Sequence, residues 1–167
     1  MSAAPVITEE MRRLVGVETP PYVVEIERGD LRRFAEATGE PRPPFTDEER
    51  ATRTPDGGVI VPPTFFCPDP IVAAELAGLK RPRPFRYHID GGSEWEFLRP
   101  VRVGDSLRLT ARITDLSEKV GSSRTRRMLF SLIEVRCVNQ RDELVGIARG
   151  TAIAYEGPAE TEGEEAP

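Results

Sequence analysis

The chain has a single histidine, His88, in the run Phe85-Arg-Tyr-His-Ile-Asp90. An imidazole beside a carboxylate can serve as a general base, with Asp90 as its partner. The simpler role is a hydrogen-bonded histidine at the entrance to a strand. Glu75 is a second candidate. At 100° per residue it falls between Ile71 and Leu79, next to Val72, on the bulky side of an apolar helix. A carboxyl group there would lose water and its pKa would rise, which suits a base or nucleophile. Arg124, Arg126 and Arg127 form a basic cluster near a turn, suited to phosphate or to an acidic carrier, or else to solvent. Glu40 is a loop carboxylate beside Pro41, Pro43 and Pro44, suited to solvent. Cys67 and Cys137 lie far apart without metal-ligand spacing and read as free, buried thiols. No metal and no cofactor are expected.

These residues sit in a chain of 167 residues, enough for one domain with a real core. The net charge of −5 comes from the end of the chain. Residues 156–167 carry Glu156, Glu160, Glu162, Glu164 and Glu165 and no cation, so residues 1–155 are neutral. The acidic end lacks bulky apolar groups and reads as a disordered tail. A neutral body gives no support for nucleic-acid binding. No apolar run is long enough to span a bilayer, and the first residues lack a signal pattern. A cytoplasmic protein is therefore expected.

The elements follow from periodicity. A short helix is expected over residues 9–15, a strand over Tyr22–Ile26, and an amphipathic helix from an N-cap at Asp30 to a C-cap at Gly39. Residues 40–58 are a long loop rich in proline, glycine and charge, with strand character returning at Gly58–Val61. Asp69 followed by Pro70 is a helix start, and the helix over Ile71–Leu79 is apolar all round, so burial on most faces is expected. Strands follow at Ser93–Phe97, Ser106–Asp115, Arg127–Val138 and Leu144–Tyr155, with turns at Gly121-Ser-Ser and Asn139-Gln-Arg-Asp. Trp95 and Phe97 alternate with acids and suit core or interface packing. The order gives an α+β domain: an antiparallel sheet wrapped around a central helix, with an N-terminal segment over 1–15, the domain over 16–155 and the tail over 156–167. Such a sheet has an open edge, so a second copy or a partner chain is expected to pair with it.

The stretch Leu31-Arg-Arg-Phe-Ala-Glu-Ala-Thr-Gly-Glu-Pro-Arg-Pro-Pro-Phe45 resembles the overhanging segment of the MaoC-like dehydratases and hydratases. Gly91-Gly-Ser-Glu-Trp-Glu-Phe-Leu-Arg-Pro-Val-Arg-Val-Gly-Asp105, Val61-Pro-Pro-Thr-Phe65, Glu118-Lys-Val-Gly121 and Asn139-Gln-Arg-Asp-Glu-Leu-Val145 extend the likeness from about Gly16 to Tyr155. The resemblance implies a hot-dog fold acting on acyl thioesters of coenzyme A or of a carrier protein. In that family a loop of the form Gly-Asp-x-Asn-Pro-x-His supplies the acid/base pair that moves water across a double bond. Here the loop is Gly39-Glu-Pro-Arg-Pro-Pro-Phe45: Glu40 stands in place of the aspartate and Phe45 in place of the histidine. The likeness further implies acyl contacts at Thr64, Phe65, Phe66 and Cys67, before the N-terminus of the central helix, whose backbone N–H groups face the thioester oxygen. It implies a subunit of an enoyl-CoA hydratase or 3-hydroxyacyl dehydratase, like the non-catalytic chain of heteromeric (3R)-hydroxyacyl dehydratases, with the acid/base pair on a hot-dog partner. Alternatives are a homodimeric hot-dog thioesterase using Glu75 or Asp69, or an acyl-thioester binding module.

Restoring the histidine alone is not expected to restore chemistry. Pro41, Pro43 and Pro44 stiffen and redirect the loop, and a displacement of about 1 Å can cost a hundredfold in rate. A Phe45→His variant assayed with crotonyl-CoA should stay inactive; robust turnover would defeat this argument.

Overall fold

The computed structural model describes residues 5–39, 58–63, 65 and 69–157. The described elements are α1 (Glu9–Arg13), β1 (Tyr22–Glu25), α2 (Arg28–Thr38), α3 (Pro70–Leu76), β2 (Tyr87–Phe97), β3 (Ser106–Val120), β4 (Arg127–Val138) and β5 (Leu144–Tyr155). The strands form one antiparallel sheet in the order β1-β3-β4-β5-β2. Helix α3 lies across β3, β4 and β5. This is the α+β hot-dog arrangement expected from the sequence. Among the described residues no helix is long and apolar enough to cross a membrane.

Alternation decides which strand residues face the helix. Leu107, Leu109, Ala111 and Ile113 of β3 are buried, as are Leu129, Ile133, Val135 and Cys137 of β4. From α3, Ala73, Ala74 and Ala77 press into this surface. The small side chains let the helix axis approach the sheet, and Gly150 on β5 completes the seat. A Cβ at Gly150 would lie 2.7 Å from Pro70 Cγ and 3.4 Å from Ile71 Cγ1, so the helix start occupies the space a side chain would need.

The helix is buried on one side only. Val72 is 53% exposed and Leu76 59% exposed, contrary to the expectation of burial on most faces. A seven-residue helix on an open sheet has an outward face whatever its composition. Two further expectations change. Helix α2 begins earlier than expected, with Glu27 as N-cap, while Asp30 sits in the first turn bonded to Arg33. Gly58–Val61 makes no strand, only an isolated bridge from Ile60 to Arg102.

Polar contacts fix the ends of the sheet. The buried Asp105 carboxylate accepts from Arg102 N and from Gln140 Nε2, each at 2.8 Å. The buried Asn139 accepts from the N–H groups of Arg141 (2.9 Å) and Glu143 (3.0 Å). The turn at Val101–Asp105 and the β4–β5 hairpin are therefore tied to each other. On the outer face, Arg112, Glu134, Arg149 and Glu94 stand side by side on β3, β4, β5 and β2. Glu134 is 9% exposed and receives Arg112 at 2.7 Å and Arg149 at 3.4 Å, while Arg149 also reaches Glu94 at 3.3 Å. A one-residue slip of any of these four strands would break this row, so it helps to specify register.

The N-terminal segment packs on the sheet: Val6, Ile7 and Met11 meet Leu129, Ala154 and Leu116, and Val6 N donates to Glu118 at 2.9 Å. At the other end, contacts continue just past β5. Glu156 N donates to Arg127 O at 3.0 Å, and Gly157 lies against the Tyr87 ring. The rest of the expected acidic tail, 158–167, lies outside the described residues.

Gly150→Val should overpack the seam between α3 and β5. We expect a loss of about 1–3 kcal/mol in urea unfolding. An unchanged midpoint would mean that α3 is not seated as described.

Candidate functional site

Helix α2 ends at Gly39, whose φ of 65° lies in the left-handed region that glycine adopts without strain. Its buried residues Leu31 and Ala35 face the domain. Phe34 on α2 meets Phe65 edge-on, with centroids 5.3 Å apart and planes at 81°. Phe65 also packs against the main core and against Leu31 and Val59. Thus the proposed acyl contact Phe65 sits where the overhanging helix meets the approach to α3. Glu40, Phe45, Thr64, Phe66 and Cys67 lie outside the described residues.

The start of α3 is capped as expected. Asp69 Oδ1 accepts from Ile71 N at 2.8 Å and Val72 N at 3.1 Å, and Pro70 has no N–H to offer. These donors are therefore occupied by the chain's own carboxylate. The same contacts commit Asp69 to capping.

Glu75 departs from expectation. Burial raises its pKa, but hydrogen bonds from Arg81 and Arg83 outweigh that and hold the carboxyl below its ordinary range. Arg81 Nε lies 2.8 Å and Arg83 Nη2 2.6 Å from Glu75 Oε1. A carboxylate clamped by two guanidinium groups is a weak base and a weak nucleophile. The arginines come from the run Lys80-Arg-Pro-Arg-Pro84, whose return toward α3 is a tertiary event that helical spacing does not encode.

His88 lies within β2, not ahead of a strand, and pairs with Ala154 of β5. Burial, then the nearby Arg81 and Arg83, push its pKa down against a smaller upward pull from Glu75. Its Nδ1 is buried with no hydrogen-bond partner among the described residues. Asp90 does not complete a dyad, because its Oδ1 accepts from Gly92 N at 2.8 Å and braces the bulge between Asp90 and Ser93. Arg126 pairs with Glu156 at 3.3 Å and Arg127 with Glu118 at 3.0 Å, so two members of the basic cluster are engaged within the chain. Arg124 N donates to Ser122 Oγ within the turn. Trp95 packs against the main core, and Phe97 is exposed on the β2 edge. Burial pushes the Cys137 thiol up to about 12, so it is inert at neutral pH. A recess of about 220 Å³ lies between the 14–20 segment and the end of α3, lined by Leu14, Val17, Leu79 and Ile113 among others.

A lowered carboxyl pKa gives stability that is present above the ordinary carboxylate range and lost as pH falls through the folded value. Glu75→Gln should therefore destabilise the protein at pH 7 by at most about 1 kcal/mol, because the group is more than a third exposed and screened by solvent. The difference should be smaller at pH 3, below the ordinary glutamate value of about 4.3. Urea unfolding at both pH values measures it; an equal loss at both would exclude the ion pairs as its cause.

The family described as "FAS1-like, dehydratase domain region" matches residues 13–147. The chain is 30% identical over 159 residues to a UPF0336 protein of Saccharopolyspora erythraea, covering 91% of this chain and 96% of that protein. Among solved structures it is similar to the C-terminally truncated HadBC complex, a 3R-hydroxyacyl-ACP dehydratase of Mycobacterium tuberculosis. That match has a TM-score of 0.66 and 22% identity, over 84% of this chain and 97% of that one. It is also similar to the R-hydratase PhaJ1 of Pseudomonas aeruginosa, with a TM-score of 0.59 and 22% identity, over 92% and 89% of the two chains. With a family match over most of its length, the chain belongs to the FAS1-like dehydratase-domain family, and it shares the hot-dog fold of these structures.

Proposed function

We propose that this chain is the non-catalytic subunit of an acyl-thioester hydratase or dehydratase, beside a hot-dog partner that carries the acid/base pair. The observation that carries this reading is the sequence Gly39-Glu-Pro-Arg-Pro-Pro-Phe45 within a dehydratase-family domain. Hydration of an enoyl thioester needs one group to take a proton from water and another to protonate the α-carbon. An aspartate and a histidine do this in the family, and this loop has Glu40 and Phe45. The sole histidine cannot substitute in the described arrangement: His88 has no carboxylate hydrogen-bond partner there, and two arginines disfavour its protonation.

The role left to this chain is to bind and to shape. Phe65 and the α2 segment would contact the acyl group, and the apolar recess at the end of α3 suits a chain terminus. β2 is an 11-residue strand at the end of the sheet order, with Ile89 and Phe97 exposed. An edge of this length favours pairing with another strand, and the likeness to a HadBC complex supports a related hot-dog chain as that partner. The reaction would use no cofactor beyond the thioester itself, and the cytoplasm is the compartment we infer. The thioesterase alternative loses its best candidate to the Arg81 and Arg83 clamp on Glu75.

The test combines size and activity. The purified chain, sized by light scattering, should fail to hydrate crotonyl-CoA or a long-chain enoyl-CoA. Co-expression with a hot-dog chain bearing Gly-Asp-x-Asn-Pro-x-His should give a complex with hydratase activity. Hydration by the chain alone, or acyl-CoA hydrolysis by its homodimer, would overturn the reading.

A further inference from the structure

Four groups that the proposed role does not use gather where the chain leaving α3 passes β2. Arg81 and Arg83 share one oxygen of Glu75, at 2.8 and 2.6 Å. The Arg81 side chain is 9% exposed, so a full positive charge is held almost out of water. One carboxylate cannot neutralise two guanidinium groups. With His88 neutral, Glu75, Arg81 and Arg83 leave one positive charge in excess. An incompletely neutralised buried cation is costly unless a further anion or solvent reaches it.

Arg83 keeps donors free for such an anion. Arg83 is half exposed, and a guanidinium bonded through one nitrogen to Glu75 retains other N–H groups. His88 on β2 brings a ring nitrogen that is buried and has no hydrogen-bond partner among the described residues. From β5 its cross-strand neighbour is the apolar Ala154, and among the described residues Arg81 and Arg83 of the connecting segment and Glu75 of α3 act on its charge.

We propose that Arg81, Arg83 and His88 form an anion site for a phosphate or diphosphate group, next to the β2 edge. Arginine suits this ligand because its planar fork matches phosphate oxygens. The site itself stands on this geometry. Its assignment to the phosphate-bearing arm of an acyl thioester rests on the function proposed above. Bound phosphate adds negative charge beside the imidazole, so binding and protonation of His88 must favour each other.

Because His88 is the sole histidine, its ring resonances are unambiguous. The full chain is titrated with inorganic pyrophosphate at constant ionic strength, followed by His88 NMR, and then with coenzyme A. Millimolar or lower pyrophosphate should shift the His88 resonances saturably and move its titration midpoint to higher pH. Arg83→Gln should weaken saturation by about tenfold, the scale of one charge-assisted hydrogen bond, and Arg83→Lys should recover part of it. Coenzyme A should reproduce the pyrophosphate shift. A folded wild-type chain whose His88 resonances and midpoint ignore pyrophosphate would overturn the site and leave the cluster as a clamp between α3 and the segment after it. Saturation by pyrophosphate without any by coenzyme A would overturn only the assignment to the thioester arm. Neither result depends on hydratase activity.

Discussion

The close seam between α3 and the sheet governs the rest of this molecule. Ala73, Ala74 and Ala77 supply a flat helix face, and Gly150 leaves room for Pro70. Larger groups at these points would lift the helix and open voids beside Leu109, Ile133 and Val135, where interiors tolerate little unfilled space. The seam also fixes the start of α3, and with it Asp69 and the approach through Phe65. The return of Arg81 and Arg83 onto Glu75 then ties the end of the helix to the segment that leads into β2.

A second set of contacts holds the sheet in register while leaving its margin open. Asp105 and Asn139 organise one end through backbone N–H groups and Gln140. The row of Arg112, Glu134, Arg149 and Glu94 aligns four strands on the outer face. Arg112 and Arg149 both bond Glu134 and Arg149 also reaches Glu94, while Arg112 Nε is buried without a hydrogen-bond partner among the described residues. Beyond β2 lies no described strand, and its exposed apolar groups are set on a frame that is otherwise well tied. A sheet with an exposed, partly apolar edge strand suits pairing with a second chain.

Much of this was legible in the sequence because local and tertiary preferences agree. β4 and β5 have the expected limits, since their alternating apolar residues are bounded by strong turns. Asp69 and Pro70 marked the start of α3 because a cap and a fixed φ act within three residues. Where the outcome depends on distant chain, the sequence said less. β2 begins at Tyr87 because β5 is there to pair with it, not because Tyr87–Asp90 has a strong pattern. The spacing of Glu75 suggested a desolvated carboxylate, but the arginines that keep it ionised lie six and eight residues on, past the helix end. The departure on which the proposed function rests, Glu40 and Phe45, was visible only against the pattern of a family.

The central claim is that this domain completes itself through the β2 edge with a catalytic hot-dog chain. Hydrogen–deuterium exchange on the chain alone and in complex with such a partner tests it most directly. The account predicts that β2 amides exchange measurably in the lone chain and become strongly protected in the complex, while β3 and β4 change little. Unchanged exchange across β2 in a stable complex, with protection confined to β1 or to the outer face of the sheet, would contradict it.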